Sequence, residues 1–260
     1  MKGRALLTEH QLRVVDGVFA ETDRSHLVVY LSGAHAYGFP SPDSDVDLKC
    51  VHLEEPSRFL GLAPPRTTFD RAEVIDGVEI DYTSNELGMV LGGVLAGNGN
   101  YLERLLGDAT LEEHPLLAEL RPLVRRSLSR RVHRHYRGFA TSQRHELAKT
   151  PSAKKALYVL RTTLTGAHLL ATGEMVIDVR LLLDRYAFES ASELIEAKRR
   201  GERQPLSEAE AARWTKELER AFEALDAAEQ SSALPAEPPN GDDLDAWLVA
   251  ARRALLQERA

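Results

Sequence analysis

The chain has 260 residues and a formal net charge of −7 at pH 7, with 43% hydrophobic and 28% charged residues. These proportions are ordinary for a soluble protein, and the length allows one large domain or two modest ones with an ample core. The negative balance argues against a surface that coats nucleic acid broadly, although it permits a local basic groove. The single cysteine, Cys50, excludes an internal disulfide and is expected to pack in the core.

The first 19 residues lack the uninterrupted apolar core of a signal peptide. They are interrupted by five charged side chains: Lys2, Arg4, Glu9, Arg13 and Asp16. No apolar run approaches membrane-spanning length. We therefore expect a cytoplasmic protein with no membrane partner.

In the N-terminal part, hydrophobic periodicity predicts both helices and strands. The expected elements are a helix over 8–20, strands near 27–32, 45–53, 67–75 and 78–83, and helices over 86–95 and 101–106. The turn Asp76-Gly77 joins two of the strands as a hairpin. Ser84 is expected to cap the helix over 86–95. The sequence Gly97-Asn98-Gly99-Asn100 breaks that helix.

From about residue 116 onward the pattern becomes almost wholly helical. The expected helices cover 116–126, 129–147, 153–172, 177–185, 189–200, 207–228 and 244–258, with a surface linker over 235–243. The sequence therefore predicts an α/β (α+β) domain with a mixed sheet over 1–115, followed by an all-α domain over 116–260.

The most informative segment is residues 31–48, which read LSGAHAYGFPSPDSDVDL. Asp45 and Asp47 alternate along a strand, so they project side by side. Two adjacent carboxylates raise each other's pKa unless a cation lies between them, and hard oxygen ligands suit Mg²⁺. The turn at Ser32-Gly33-Ala34 supplies backbone amides that can bind phosphates. The segment therefore predicts metal-dependent chemistry on a nucleoside triphosphate.

A third acid follows in the strand over 78–83. Glu79 and Asp81 share one face of this strand, and Ile80 and Tyr82 share the other. If this strand lies beside the strand of Asp45 and Asp47, Asp81 completes a carboxylate triad. Such a triad could bind a second metal and deprotonate an attacking hydroxyl.

These residues resemble the DNA polymerase β-like nucleotidyltransferase superfamily, whose signature is a glycine turn, a short spacer, Asp-x-Asp and a later third Asp. Within it, the chain is most similar to the predicted nucleotidyltransferases that include the RNA-ligase-associated RlaP proteins. The likeness covers residues 32–38, 44–48 and 97–103, and is fainter over 154–161 and 173–174. Ala34 stands where the superfamily usually has serine, so the phosphate contact of that serine hydroxyl is lost unless Ser32 or His35 replaces it.

The resemblance implies a minimal nucleotidyltransferase domain over 1–115, a helical domain over 116–260, and an active site between them. It implies transfer of a nucleoside monophosphate from an NTP such as ATP to an acceptor hydroxyl, with RNA repair as the setting. The acceptor stays open between an RNA end, a protein and a small molecule. The implied catalytic metal ligands, for Mg²⁺ or Mn²⁺, are Asp45, Asp47 and Asp81. The implied nucleotide contacts are Ser32, Gly33, Ala34, His35, Lys154 or Lys155, and Tyr158.

Three other interpretations of the acidic segment compete with this one. The spacing of Asp43, Asp45 and Asp47 imitates a calcium loop, but Leu48 stands where an EF-hand needs glycine. The acids could instead line a solvated edge strand. Ala34 also leaves open an NTP-binding regulatory or antitoxin-like module with little or no turnover.

Two helical segments have two interpretations each. Lys154, Tyr158 and Arg161 share one helix face, which suits either a phosphate-binding helix or a surface amphipathic helix. The basic stretch over 125–137 could follow an RNA backbone or pair with acidic neighbours, and the pairing is slightly favoured. In the segment over 97–103, the resemblance suggests that Asn98 or Glu103 orients groups near the cleft, whereas spacing alone indicates only a helix break.

Overall fold

The computed structural model describes residues 1–22, 24–201 and 204–257. The strands are β1 Ser25–Tyr30, β2 Val46–Leu53, β3 Thr68–Ile75, β4 Val78–Glu86 and β5 Thr110–Glu113. The helices are α1 Glu9–Ala20, α2 Gly33–Tyr37, α3 Leu87–Leu95, α4 Gly99–Leu106, α5 Leu116–Arg126, α6 Val132–Lys149, α7 Ala153–Thr172, α8 Ser192–Arg199, α9 Glu208–Ser231 and α10 Gly241–Gln257. The predicted fold class, an α/β part followed by a helical region, is confirmed.

The five strands form one mixed sheet in the order β3-β4-β2-β1-β5. Strands β2 and β4 run parallel, and the other neighbouring pairs are antiparallel. The hairpin between β3 and β4 turns at Asp76 and Gly77, whose φ angles are 49° and 80°. Two positive φ values match the twist of the flanking strands and explain why Asp-Gly stands there.

The helical region packs around α7, which is buried along nearly its whole length. Helices α6, α8 and α9 contact it, and the hydrophobic core runs without interruption from the sheet into these helices. Cys50 is fully buried in this core, as expected. Among the helices of the described residues, none is both long enough and apolar enough to cross a membrane.

The predicted cap at Ser84 is wrong. Strand β4 continues to Glu86 because its ladder with β2 extends to the pair His52–Glu86. The Ser84 hydroxyl is buried and hydrogen-bonds the ring Nδ1 of His52 at 2.9 Å. Glu86 caps α3 instead, because its carboxylate accepts a hydrogen bond from the backbone amide of Met89 at 3.1 Å.

Two other differences concern short elements. The expected helix over 177–185 is two 3-10 turns, because the Asp178 carboxylate binds the backbone amide of Arg180 and competes with helical bonding. Strand β5 was not expected from the sequence. It has only four residues, of which the first two, Thr110 and Leu111, are buried, so it shows no readable alternation.

Candidate active site

The parallel pairing of β2 with β4 brings two acidic side chains together. Asp47 and Asp81 are register partners in the ladder, and partners in register project from the same face of a sheet. Asp45 directly precedes β2. The Asp47 side chain is 18% exposed and the Asp81 side chain 47%. Of the three acids named from the sequence, Asp47 and Asp81 thus lie on two adjacent strands and Asp45 lies just before the first of them.

Lys49 lies between two of these acids. Its ammonium nitrogen is 2.8 Å from Asp81 Oδ2, 3.9 Å from Asp47 Oδ1 and 3.4 Å from Thr83 Oγ1. Lys49 reaches both carboxylates because it follows Asp47 by two residues and so shares its face of β2. As the described side chains are arranged, no group of three or more His, Cys, Asp or Glu residues could hold a metal ion.

The acids nevertheless fit a divalent cation in their chemistry. Burial, followed by the charge of Asp45, raises the pKa of Asp47 from 3.8 to about 6. Burial is the largest cause of this shift; the charges of Asp45 and Asp81 add to it, and Lys49 opposes it. The ammonium itself shows that a cation is accepted between Asp47 and Asp81. Carboxylate oxygens of this kind are the ligands preferred by Mg²⁺ and Mn²⁺.

The glycine turn is built against the same carboxylate. The backbone amide of Ser32 donates to the carbonyl oxygen of Asp47 at 2.8 Å, which fixes the turn to β2. Gly33 has a φ of +63°, and a Cβ added there would lie 1.8 Å from Asp47 Oδ2. Only glycine therefore allows the turn and the carboxylate to approach each other this closely.

The other residues of the turn lie in different surroundings. The Ser32 hydroxyl is 2.9 Å from the Tyr37 hydroxyl, and Ala34 is buried. The ring of His35 is also buried, and its Nε2 is 3.4 Å from the side-chain nitrogen of Gln11 in α1. His35 is not among the residues that line the cavity beside Asp47. This placement does not support the predicted contact between the His35 ring and a nucleotide, which stays a prediction.

A cavity of about 230 Å³ opens beside Asp47 and Lys49. The sheet and the glycine turn form one wall, and helices α4, α6 and α7 form the other. The helical wall includes Asn100, Phe139 and Tyr158. Phe139 is 38% exposed, which is unusual for a large aromatic ring. The cavity therefore lies where the sequence predicted the active site, between the sheet and the helices.

A buried ion pair supports this cavity. Arg161 Nη1 is 2.6 Å from Glu103 Oε1, and both side chains are at most 4% exposed. The Tyr136 hydroxyl donates to the same Glu103 oxygen at 3.4 Å. The Arg161 guanidinium carbon lies 3.8 Å from the centroid of the Tyr37 ring, so the pair reaches the end of the glycine turn. Arg161 is thus a buried supporting residue rather than part of an exposed basic face.

The segment over 97–103 acquires a structural explanation from these contacts. Asn98 caps α4 because its side chain accepts from the backbone amide of Asn100 at 3.0 Å. A Cβ at Gly99 would lie 2.6 Å from the Tyr136 ring, so glycine lets α4 approach α6 closely. Glu103 then points into the interior, where it meets Arg161.

The two adjacent lysines of α7, Lys154 and Lys155, point to different surroundings. Lys154 lines a second cavity of about 560 Å³ together with Asp43, Asp45 and Glu79, and its ammonium lies 5.8 Å from the Tyr158 ring centroid. The Lys155 ammonium instead donates to the carbonyl of Glu146 at 2.9 Å and to Thr150 Oγ1, at the end of α6. Lys154 is therefore the lysine beside the acidic end of β2.

The basic stretch over 125–137 is largely paired with acids. Arg130 lies 3.7 Å from Glu229, and Arg137 and His133 share Asp226 at 2.8 and 2.7 Å. Two further ion pairs join Arg126 to Asp243 and Arg131 to Glu237. These contacts match structural pairing, the interpretation that the sequence slightly favoured. Arg134 is exposed and forms no ion pair within the described part of the chain.

Three residues at the cavity were not identified from the sequence. Lys49 could have been found, because strand alternation places it on the same face as Asp47. Arg104 hydrogen-bonds the side chain of Asn85 and the carbonyl of Cys50, which crosses from α4 to the sheet, and no sequence pattern announces this contact. Phe139 lies on α6 among polar residues and carries no signal beyond its hydrophobicity.

The chain is similar to several known proteins. A model of the RNA repair pathway DNA polymerase beta family, RlaP, matches residues 9–250. An uncharacterized protein of Methanocaldococcus jannaschii is 29% identical over 178 residues, which cover 66% of this chain and 72% of that protein. A crystal structure of a nucleotidyltransferase-like protein from Exiguobacterium sibiricum aligns with 12% identity and a TM-score of 0.32, over 84% of this chain and 73% of that one.

The family match includes the glycine turn, both strands that carry the acids, the segment over 97–103 and all of α7. The resemblance found in the sequence is thereby confirmed. The chain belongs to the RNA repair pathway DNA polymerase beta family.

Proposed function

We propose that this protein is a metal-dependent nucleotidyltransferase that moves a nucleoside monophosphate from an NTP to an acceptor hydroxyl. The acceptor oxygen forms a bond to the α-phosphorus, the bond from that phosphorus to the β-phosphate oxygen breaks, and pyrophosphate leaves. The observation that carries this proposal is the pairing of Asp47 with Asp81 on parallel strands, directly beside a glycine turn that is bonded to Asp47. A calcium loop has no such strand pairing.

Asp45, Asp47 and Asp81 would hold Mg²⁺ or Mn²⁺. When bound, the metal neutralises the triphosphate and lowers the pKa of the acceptor hydroxyl. Asp81 is more exposed than Asp47, so we assign to Asp81 the role of accepting the proton from the acceptor hydroxyl. The remaining contribution to catalysis would be the positioning of the reacting groups by the sheet.

The chain offers distinct groups to each part of the nucleotide. We assign the amides of Gly33 and Ala34 to the phosphates, because the Ser32 amide is already donated to Asp47. Lys154 lies beside Asp45 and suits the same phosphates, whereas Lys155 is bonded to the end of α6. Tyr158 and the half-exposed ring of Phe139 line the Asp47 cavity and suit the sugar and the base.

An RNA end is the acceptor that we propose, because the family's description places it in RNA repair. A protein or small-molecule hydroxyl is the alternative. Most basic residues of the stretch over 125–137 form ion pairs with acids, so this stretch is not the main argument for an RNA acceptor. The proposal therefore depends on the family and on the open cavity beside Asp45.

Incubation of the protein with radiolabelled NTP, Mg²⁺ and pools of RNA or protein tests this function. Label on RNA, lost in Asp47→Asn, supports the proposal, and label on protein would identify a different acceptor. NTP binding without transfer to any pool would favour the regulatory module. If NTP does not bind and no label is transferred, the proposed function is wrong.

Gly33→Ala is expected to lower transfer by about 100-fold or more, because a displacement near 1 Å at a reacting centre has that effect. The added Cβ would overlap the Asp47 carboxylate and also strain the positive φ. Gly138→Ala in α6 is the control, since a Cβ there meets nothing within 4 Å. Pyrophosphate release by both variants measures the difference. Equal activity of Gly33→Ala and the unaltered protein would show that the turn does not position Asp47.

If RNA is the acceptor, its affinity is expected to depend only weakly on the basic stretch over 125–137. Replacing Arg130 and Arg134 with Gln should reduce the salt slope of RNA binding by at most about 0.7, the value for one single-strand phosphate contact. Arg134 is exposed and able to bind one phosphate, whereas Arg130 already faces Glu229. A titration of RNA binding against salt checks this. A reduction near twice that size would show that both arginines bind phosphate.

A further inference from the structure

Lys49 has an unusual position for a residue of a metal site. Among the described residues, its ammonium is the cation nearest to Asp81, at 2.8 Å, and it also faces Asp47 at 3.9 Å. The side chain is 21% exposed, so water compensates its charge only partly. The place between the two carboxylates, where a divalent ion would bind to both, is thus adjacent to a fixed positive charge.

We infer that Lys49 is a built-in counter-ion that opposes metal binding by the nucleotide-free protein, so that the metal enters together with the NTP. This inference depends on the proposed function, whose acids and nucleotide it uses. A divalent ion between Asp47 and Asp81 would lie a few ångströms from the ammonium, and charges of like sign repel strongly at that distance in a half-buried place. The triphosphate removes the conflict, because it offers Lys49 a second anionic partner.

The neighbouring residues are consistent with this role. Thr83 is the register partner of Lys49, and its hydroxyl oxygen lies 3.4 Å from the ammonium. This hydroxyl can still accept a hydrogen bond from Lys49 when the ammonium moves away from the carboxylates. Lys49 also lines the cavity beside Gly33, so its four-carbon chain can turn toward phosphates bound at the turn. The other cations of that cavity, Arg104 and Arg161, are buried and bonded to Asn85 and Glu103, so they cannot make the same movement.

Mn²⁺ titration followed by electron paramagnetic resonance tests the inference on the full chain. Without nucleotide, Lys49→Met should bind Mn²⁺ at least about tenfold more tightly than the unaltered protein, because the repelling charge is gone. Lys49→Arg keeps the charge and should stay within about threefold. Lys2→Met removes the same charge from a surface pair with Asp108 and should leave Mn²⁺ affinity unchanged.

Adding a non-hydrolysable ATP analogue completes the test. The analogue should raise the Mn²⁺ affinity of the unaltered protein by a larger factor than that of Lys49→Met. Equal or weaker Mn²⁺ binding by Lys49→Met without nucleotide overturns the inference. If Lys49→Met does not fold, Lys49→Gln gives the same comparison. An analogue that fails to raise the Mn²⁺ affinity of the unaltered protein also overturns it.

Failure of the proposed function gives a different result. In that case Mn²⁺ and the analogue would not bind together to the unaltered protein, and Asp47→Asn would change nothing. If Asp47→Asn abolishes joint binding while Lys49→Met has no effect on Mn²⁺ alone, only the role of Lys49 is wrong.

Discussion

Asp47→Asn is expected to abolish transfer and, at the same time, to stabilise the folded protein above pH 6. The loss of activity should be at least about 100-fold, the size typical of removing one group that stabilises charge in a transition state. The gain in stability follows from the raised pKa of Asp47, about 6 against an ordinary 3.8. An ionised Asp47 is less favourable in the folded chain than in the unfolded one.

The sign of this effect determines the pH range of the experiment. Between pH 3.8 and 6 the folded protein binds the Asp47 proton more tightly than the unfolded chain, so stability falls as the pH rises through this window. Above pH 6 the full penalty is present, at most roughly 3 kcal/mol for a shift of two units. Asparagine does not ionise, so the variant escapes this penalty.

Urea unfolding of both proteins at pH 5 and pH 8 measures the prediction. The stability advantage of Asp47→Asn should be larger at pH 8. Asp184→Asn is a suitable control, because Asp184 is exposed in a 3-10 turn and is not among the residues lining the site cavity. An advantage that shrinks between pH 5 and pH 8 would contradict the electrostatic explanation.

Arg161→Met is expected to be strongly destabilising, by about 3–5 kcal/mol. Methionine has a similar length and fills the space, but among the described residues it leaves the buried Glu103 carboxylate with the Tyr136 hydroxyl as its one hydrogen-bond partner. Burial alone would lower the pKa of the Arg161 guanidinium, but the Glu103 charge and hydrogen bond, together with Tyr37 and Tyr136, outweigh burial and raise it. Arg161 therefore stays charged at any pH at which the protein is studied.

A double-mutant cycle with Glu103→Gln isolates the ion pair. The double variant should recover part of the lost stability, because it contains no unpaired buried charge. Chemical unfolding of the four proteins gives the coupling energy. A matched cycle on Arg213 and Glu193, an exposed pair at 2.9 Å, should give at most about 1 kcal/mol. Similar values for the two pairs would show that burial is not the source of the effect.

The sequence predicted the strands and helices well wherever one face is buried. The alternation of Asp45, Asp47, Glu79 and Asp81 was readable because the first halves of β2 and β4 each bury every second residue. The cap at Ser84 was wrong because a local signal was overruled by the ladder that carries β4 to Glu86. Strand β5 was not predicted because it pairs with β1 through only three register pairs that are far apart in the sequence.

The site was predictable in its acids and its glycine turn, and less so in its supporting residues. Asp-x-Asp and a glycine turn are separated by a short stretch of chain, so their proximity follows from one hairpin-like connection. Glu103 and Arg161 are 58 residues apart, and each alone resembles an ordinary surface charge. Their meeting in the core joins α4 to α7, two helices far apart in the sequence, and no local pattern encodes it. The proposed roles of Lys154 and Tyr158 stay predictions.

The Glu103–Arg161 pair also limits how the protein could be divided. A border at residue 115 would leave Glu103 with the sheet and Arg161 with the helices. In the N-terminal piece, the Glu103 carboxylate, which is buried in the whole protein, would lose its partner Arg161. Tyr37 would lose the Arg161 guanidinium that covers its ring. Because Tyr37 also meets Ser32 at the glycine turn, the turn depends on a helix that begins 120 residues later, at Ala153. We therefore expect a fragment that ends at residue 115 to lose the arrangement of the glycine turn, and a fragment that keeps it to include α7.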